Sequence, residues 1–321
     1  MITGREPGEA SPGPSWSRGR GWGWIWGEHD QVGALNSAGP PTVLAALQLV
    51  REGRVIDLGV TVSRLSYGSP AHPRTEVVRF RTPPSLLAET LPEHDDAAVS
   101  FSTSMIMISD HAGTQIDGLA HAVTGADHHW YNGFAWATDS ADFGVAKAGA
   151  QQIPPIIAPG VLLDVPAALG VPQLQAGQAI TPADLAAALE RQRTDIAPGD
   201  VVLVRTGMMR DWGDTGADHA ALARTDQAGQ SLASAQWLVE EKGALMIGAD
   251  NSAVEVYPPA DGDCLAPVHK YLLVEQGVHM GELHNLEELA ATGQPRFCYI
   301  ALVPKVVGAT AGFAMRPVAV I

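Results

Sequence analysis

The stretch Asp110-His111-Ala112-Gly113-Thr114-Gln115-Ile116-Asp117-Gly118-Leu119-Ala120-His121 gathers side chains that can do chemistry. Two imidazoles, a carboxylate and a carboxamide fall between His111 and His121. His111, Gln115 and Asp117 offer nitrogen and oxygen donors of the kind that Zn²⁺ and Mn²⁺ accept. Gly113 lets the backbone turn sharply between the first donor and the rest. If Asp117 begins a helical turn, His121 lies one turn on, on the same face. The carboxylate then serves a metal ion while the imidazole takes a proton from activated water, as metal-assisted hydrolysis requires. The spacing alone fits a hydrogen-bonded polar corner equally well.

Other groups are candidates of a second kind. Trp22, Trp24 and Trp26 alternate, so in a strand their rings share one face. That face is either a packing edge or an aromatic wall for a substrate or a neighbouring subunit. Trp130 follows His128 and His129 and suits the mouth of a pocket; with Trp24 and Trp26 it would accept a flat ring. Asp250-Asn251 follows an expected buried strand, where α/β folds place functional groups, so Asp250 is a candidate substrate contact. A hydrogen-bonded turn is the alternative there, with Glu255 close by. Cys264 reads as an inert thiol, since no base or depressed pKa accompanies it. Arg205, at a strand end, is read as the partner of a structural carboxylate.

The elements that must position these residues follow from pattern. Pro40-Pro41 starts a helix through about Glu52. Arg54 to Val60 reads as a strand, residues 68–98 as a long surface excursion, and Phe101 to Ser109 as a strand entering the motif. Gly160 to Val165 and Val201 to Arg205 are apolar runs suited to buried strands. Thr181 caps a helix to about Arg193, with Pro182 in its first turn. Ser231 to Lys242 and Pro267 to Gln276 are helices closed by Gly243 and Gly277. Ala244 to Gly248, Arg296 to Val303 and Ala314 to Val320 complete the strands. Short strands alternating with helices imply a single α/β domain over 22–321, after a disordered arm over 1–21.

The composition narrows the function. The 321 residues allow a sizeable core. A net charge of −15 repels phosphate backbones, so neither nucleic acid nor an anionic membrane is an expected partner. No apolar run approaches the roughly 20 residues that span a bilayer. Two cysteines and no apolar leader fit a reducing cytoplasm.

With these residues in view, the chain resembles the cyclase-like metal-dependent hydrolases, which include bacterial kynurenine formamidase, isatin hydrolase and trans-dienelactone hydrolase. The family pattern H-x-G-T-H-x-D-x-x-x-H appears as His111, Gly113, Thr114, Gln115, Asp117 and His121. A second likeness runs from His269-Lys270-Tyr271-Leu272-Leu273 through Gly277 to Gly281-Glu282 and on to Asn285-Leu286-Glu287-Glu288-Leu289. Gly33-Ala34-Leu35-Asn36, Val201 to Gly207 and residues 303–317 resemble further family elements. The resemblance implies a swivelling β/β/α fold with a mixed sheet core and outer helices, and a homodimer or homotetramer. It implies metal ligation by His111, Asp117, His269 and Glu282, with His121 as general acid/base. Gln115 departs from the pattern, which has His there. Its carboxamide is a weaker donor to Zn²⁺ and suits Mn²⁺, so one ion is expected rather than two.

Together these readings predict a metal-dependent hydrolase of a small cyclic or aromatic amide, ester or lactone. Two alternatives stay open: a non-hydrolytic cyclase or dehydratase using the same site, and a non-catalytic metal- or ligand-binding protein. His279 and His284, which flank Glu282, are expected at the surface or behind the ligands.

Overall fold

The computed structural model describes residues 26–69, 71–85, 99–212, 226–259, 264–309 and 312–321. The expected arm over 1–21, with Trp22 and Trp24, lies outside the described residues. Eleven strands position the site: β1 (Val55–Asp57), β2 (Glu76–Arg81), β3 (Thr103–Met107), β4 (Gln115–Asp117), β5 (Ile156–Asp164), β6 (Val201–Arg205), β7 (Met246–Ala249), β8 (His279–Glu282), β9 (Arg296–Ala301), β10 (Gly312–Ala314) and β11 (Val318–Val320). Nine of them form one sheet in the order β1-β11-β9-β5-β6-β7-β8-β4-β10. The four central strands β5 to β8 run parallel, and antiparallel strands flank them on both sides. The parallel strands are the apolar runs of the sequence, and Val201 to Val204 and Met246 and Ile247 are wholly buried.

The helices lie outside the sheet, and most begin as their sequences predict. Pro182–Gln192 starts with a capping box, in which Thr181 and Asp184 satisfy each other's backbone amides. Leu232–Gln236 widens into a π-helical turn, Trp237–Glu241, and Pro267–His269 does the same over Lys270–Gln276. Gly243 and Gly277 follow these turns with positive φ. The first helix is shorter than expected, Pro40–Leu47.

Two departures matter for the site. The surface excursion expected over 68–98 contains β2, which pairs with β3 as an antiparallel ribbon. The strand expected over Ala314 to Val320 is two strands, because Pro317 removes a backbone donor between them. These two lie far apart in strand order: β10 is one edge, and β11 is second from the other. In a flat sheet seven strand spacings, about 34 Å, would separate them. The link from Ala314 to Val318 reaches about 14 Å at most. The sheet therefore curls until its edges meet, and Thr114 stitches the seam. Its hydroxyl donates to the Leu283 carbonyl at 2.6 Å and accepts from the Val60 amide at 3.0 Å. Its carbonyl accepts from the Met315 amide at 2.9 Å.

Candidate metal centre

The motif is not helical where a helical turn was expected. Gln115, Ile116 and Asp117 form β4, and pairing with β8 puts Gln115 opposite Glu282 and Asp117 opposite Met280. Alternation sends Ile116 into the core and both Gln115 and Asp117 to the other face. Opposed residues share a face, so Glu282 joins them. The Gln115 amide nitrogen donates to Glu282 Oε2 at 2.8 Å. His121 comes from the turn after β4, closed by its own amide on the Gly118 carbonyl at 3.0 Å.

His111 sits on the loop before β4. Gly113 there has φ +64°, and a Cβ on it would lie 2.4 Å from Val62 Cγ2, so only glycine fits. His111 Nδ1 meets Asp110 Oδ1 at 2.9 Å, and Nε2 lies 3.3 Å from Asp117 Oδ1. His269 ends the short helix Pro267–His269. Its Nδ1 bonds the Glu255 carboxylate, and its Nε2 stands 3.8 Å from Asp117 Oδ2 and 3.6 Å from Glu282 Oε1. Glu255 also accepts the Val268 and His269 amides, at 3.2 and 3.3 Å. Each imidazole is thus oriented by a carboxylate on one nitrogen and turns the other toward Asp117. Ring centroids of His111 and His121 are 4.2 Å apart, and those of His121 and His269 5.8 Å.

Two groups of donor atoms result, each compact enough for one cation: His111, Asp117 and His121, and Asp117, His269 and Glu282. His111 Nε2, Gln115 Oε1 and both Asp117 oxygens are buried without a hydrogen-bond partner. Burial alone would lower the pKa of His111 and His269, but their carboxylate partners prevail and raise both to about 10. Burial would raise that of Asp117, yet the surrounding imidazoles hold it below the usual carboxylate range. Burial, then the nearby Asp117 charge, pushes Glu282 up to about 8. Burial takes His121 down to about 4, so it is a neutral base at pH 7. A divalent cation held among these groups would displace the protons of His111 and His269 and take over the balance of the carboxylates' charge.

A cleft of about 170 Å³ opens onto these groups, lined further by Tyr67, Gly68, Ser69, His72, Ser252 and Leu283. His72 stacks on His111 with centroids 4.9 Å apart. Burial raises the Tyr67 pKa, against hydrogen bonds from Ser252 and Gln227.

Three expected substrate contacts fall elsewhere. Trp130 is fully buried and packs on Phe134, because so large a ring gains more in the core than at a mouth. Trp26 packs partly buried against the core and does not line the cleft. Asp250 is buried and accepts from the Thr206 amide and hydroxyl and the Gly207 amide at 2.7 to 2.8 Å, which makes it a turn brace. Trp24 lies outside the described residues. His279 and His284 are both buried, and His284 Nε2 meets the Tyr299 hydroxyl at 3.0 Å. Arg205 grips Glu287 at 2.8 and 2.9 Å and reaches Asp164 at 2.9 Å. Sequence patterns missed Tyr67, His72 and Ser252, and gave Glu255 no link to His269.

Residues 49–256 match the family described as "Putative cyclase". The chain belongs to that family. Its cyclase motif lies within the matched stretch, and His269 and Glu282 follow it. This cyclase-family chain is 26% identical to the isatin hydrolase of Roseibium aggregatum over 220 residues, 65% of this chain and 73% of that one. A solved structure described as a novel cyclase is 28% identical, with a TM-score of 0.81 over 95% of this chain and 97% of that one. Isatin hydrolase A from Labrenzia aggregata, solved with benzyl benzoate, shares the fold at 20% identity, with a TM-score of 0.59 over 83% of this chain and 93% of its own.

Proposed function

We propose that this cyclase-family chain is a metal-dependent hydrolase that opens a small amide, ester or lactone. The observation that carries the reading is the convergence of buried, unpartnered donor atoms on His111, Gln115 and Asp117, beside His121, His269 and Glu282. Buried polar atoms are rarely left unpaired, and this donor set of imidazole, carboxylate and amide oxygen suits Zn²⁺ or Mn²⁺. His111, Asp117, His269 and Glu282 would hold the ion, with Gln115 offering its carbonyl oxygen. A divalent ion there supplies Lewis acidity, which polarises a carbonyl and acidifies water. Gln115 engages one oxygen of Glu282, in keeping with one ion rather than two.

His121 carries the proton traffic. Neutral at pH 7, it accepts a proton from the attacking water and returns it to the leaving atom. Asp117, close to both imidazole partners, stabilises the positive charge that His121 gains. Tyr67, Ser69 and Ser252 offer hydroxyls to orient the substrate in the cleft.

His121→Ala should lose about 10²–10⁴-fold in turnover against a panel of amides, esters and lactones, while elemental analysis still finds the metal. Full activity in that variant removes His121 from the mechanism, and loss of the metal makes it a ligand instead. Turnover in ¹⁸O-water must label the product if the reaction is hydrolysis. An unlabelled product marks a cyclase or dehydratase.

A further inference from the structure

Two stretches of chain line two cavities in turn. Tyr67, Gly68 and Ser69 line the metal cleft, Pro73 lines a larger recess beside it, and His72 lines both. Ile108, Ser109 and Asp110 line the recess, and His111 and Gly113 line the cleft. The two hollows therefore lie end to end, joined where His72 stacks on His111 with ring planes 8° apart. The recess measures about 530 Å³ and the cleft about 170 Å³.

The far walls of the recess are apolar, formed by Phe143, Val306, Val307 and Phe313. Phe143 and Val307 are 80% and 76% exposed, and adjoining apolar side chains left open to water mark a ligand or partner site. The loop that carries Val306 and Val307 is pinned in place. Gly308 approaches Phe143 so closely that a Cβ on it would lie 2.5 Å from the Phe143 carbonyl oxygen. The Ala309 carbonyl accepts the Ala150 amide at 3.3 Å. Among the described residues that line the recess, Asp110 is the one carboxylate, and none is Lys or Arg.

We propose that the recess is the outer half of the substrate site, where it takes an uncharged alkyl or aryl arm that the substrate carries beyond its reacting carbonyl. This rests on the hydrolase reading and narrows its substrate class. Size supports it. Pockets for small molecules hold about 300–1,000 Å³, so the cleft alone is too small, whereas cleft and recess together are not. Continuity names the occupant: a substituent that leaves the cleft past the His72 ring enters the recess at Asp110 and runs on to Phe143 and Val307. Charge sets the arm's chemistry. Asp110 stands at that entrance with Oδ1 on His111 Nδ1 at 2.9 Å. An anionic arm would bring like charge to it, on a chain of net charge −15, while an apolar arm gains by leaving water.

Straight-chain hydroxamic acids chelate a divalent ion and need no turnover, so their affinity reports the arm. Calorimetric titration of the full chain loaded with Mn²⁺, from acetohydroxamate to decanohydroxamate, should show affinity rising about threefold per methylene until the recess is filled. In Phe143→Asp and in Val307→Asp, both at exposed positions, that rise should flatten while melting stays unchanged. The monohydroxamate of suberic acid, an arm of the same length ending in a carboxylate, should bind roughly tenfold more weakly than octanohydroxamate. A flat series in the wild type overturns the proposal, including one in which a second copy or residues 1–25 of the same chain fill the recess. So does a rise that both substitutions leave intact, or a suberate derivative that binds as well as octanohydroxamate. Failure to hydrolyse any ester, amide or lactone bearing these arms sinks the hydrolase reading and leaves the titration standing. A flat series beside turnover of short-chain esters sinks the arm alone.

Discussion

At the residue scale the centre depends on carboxylates that fix the histidines. Glu255 is buried and holds His269 by its ring nitrogen and by the helix amides before it. Glu255→Ala frees the imidazole to rotate and should weaken metal binding about 10–100-fold, while His111, Asp117 and His121 remain in place. Isothermal titration with Zn²⁺ and Mn²⁺ reads the loss, and an unchanged affinity would show that His269 needs no such brace. The residue types of the motif were legible in the sequence because His, Gln, Asp and Gly are chemically distinctive at short spacing. His269 and Glu282 came from resemblance. Glu255 was not legible as a brace, because its meeting with His269 is made by tertiary approach of the loop after β7 and the helix Pro267–His269. Trp130 misled for the opposite reason: an aromatic beside histidines looks like a pocket wall, but burial decided its place.

At the scale of elements, β4 explains why the helical reading of the motif failed. A three-residue segment has little preference of its own, and pairing with β8 on one side and β10 on the other settles it as strand. The apolar central strands were legible because burial on both faces leaves continuous Val, Ile and Leu runs. The ribbon was hidden by the polar, Pro-rich residues around it. Gly113 is the hinge between His111 and β4. Gly113→Ala forces a Cβ against Val62 at a backbone angle that alanine resists, and should cost about 1–3 kcal/mol. Urea denaturation measures the cost. Because the loop must shift, metal affinity should fall in the same variant.

Across the whole molecule, pH acts through buried groups beyond the cleft as well as through His121 and Glu282 within it. Burial depresses His279 to about 3 and His284 to about 4. The unfolded chain takes up these protons near pH 6.5, before the folded one does. The stability that neutral histidines supply is therefore whole above about pH 6.5 and drains as pH falls through about 4 to 3. For His284 the loss is on the order of 3 kcal/mol. Melting of metal-free protein should drop steeply between pH 7 and pH 5, and His284→Gln, which can still reach Tyr299, should flatten the slope. An equal slope in both proteins would place the acid sensitivity elsewhere. Among the described residues no helix is long and apolar enough to cross a membrane.

The seam of the curled sheet also sets an order of events in time. Thr114 stands next to Gln115 and ties it to Val60, Leu283 and Met315, residues separated by most of the chain. Contacts of such long range form late, since the loop entropy must be spent before they repay it. The donor atoms on β4 are therefore set in place only as the sheet closes. In refolding followed by pulsed hydrogen exchange, the Ile116 and Met315 amides should gain protection in the slowest phase, together with metal binding. Their early protection, ahead of the parallel strands, would reverse that order.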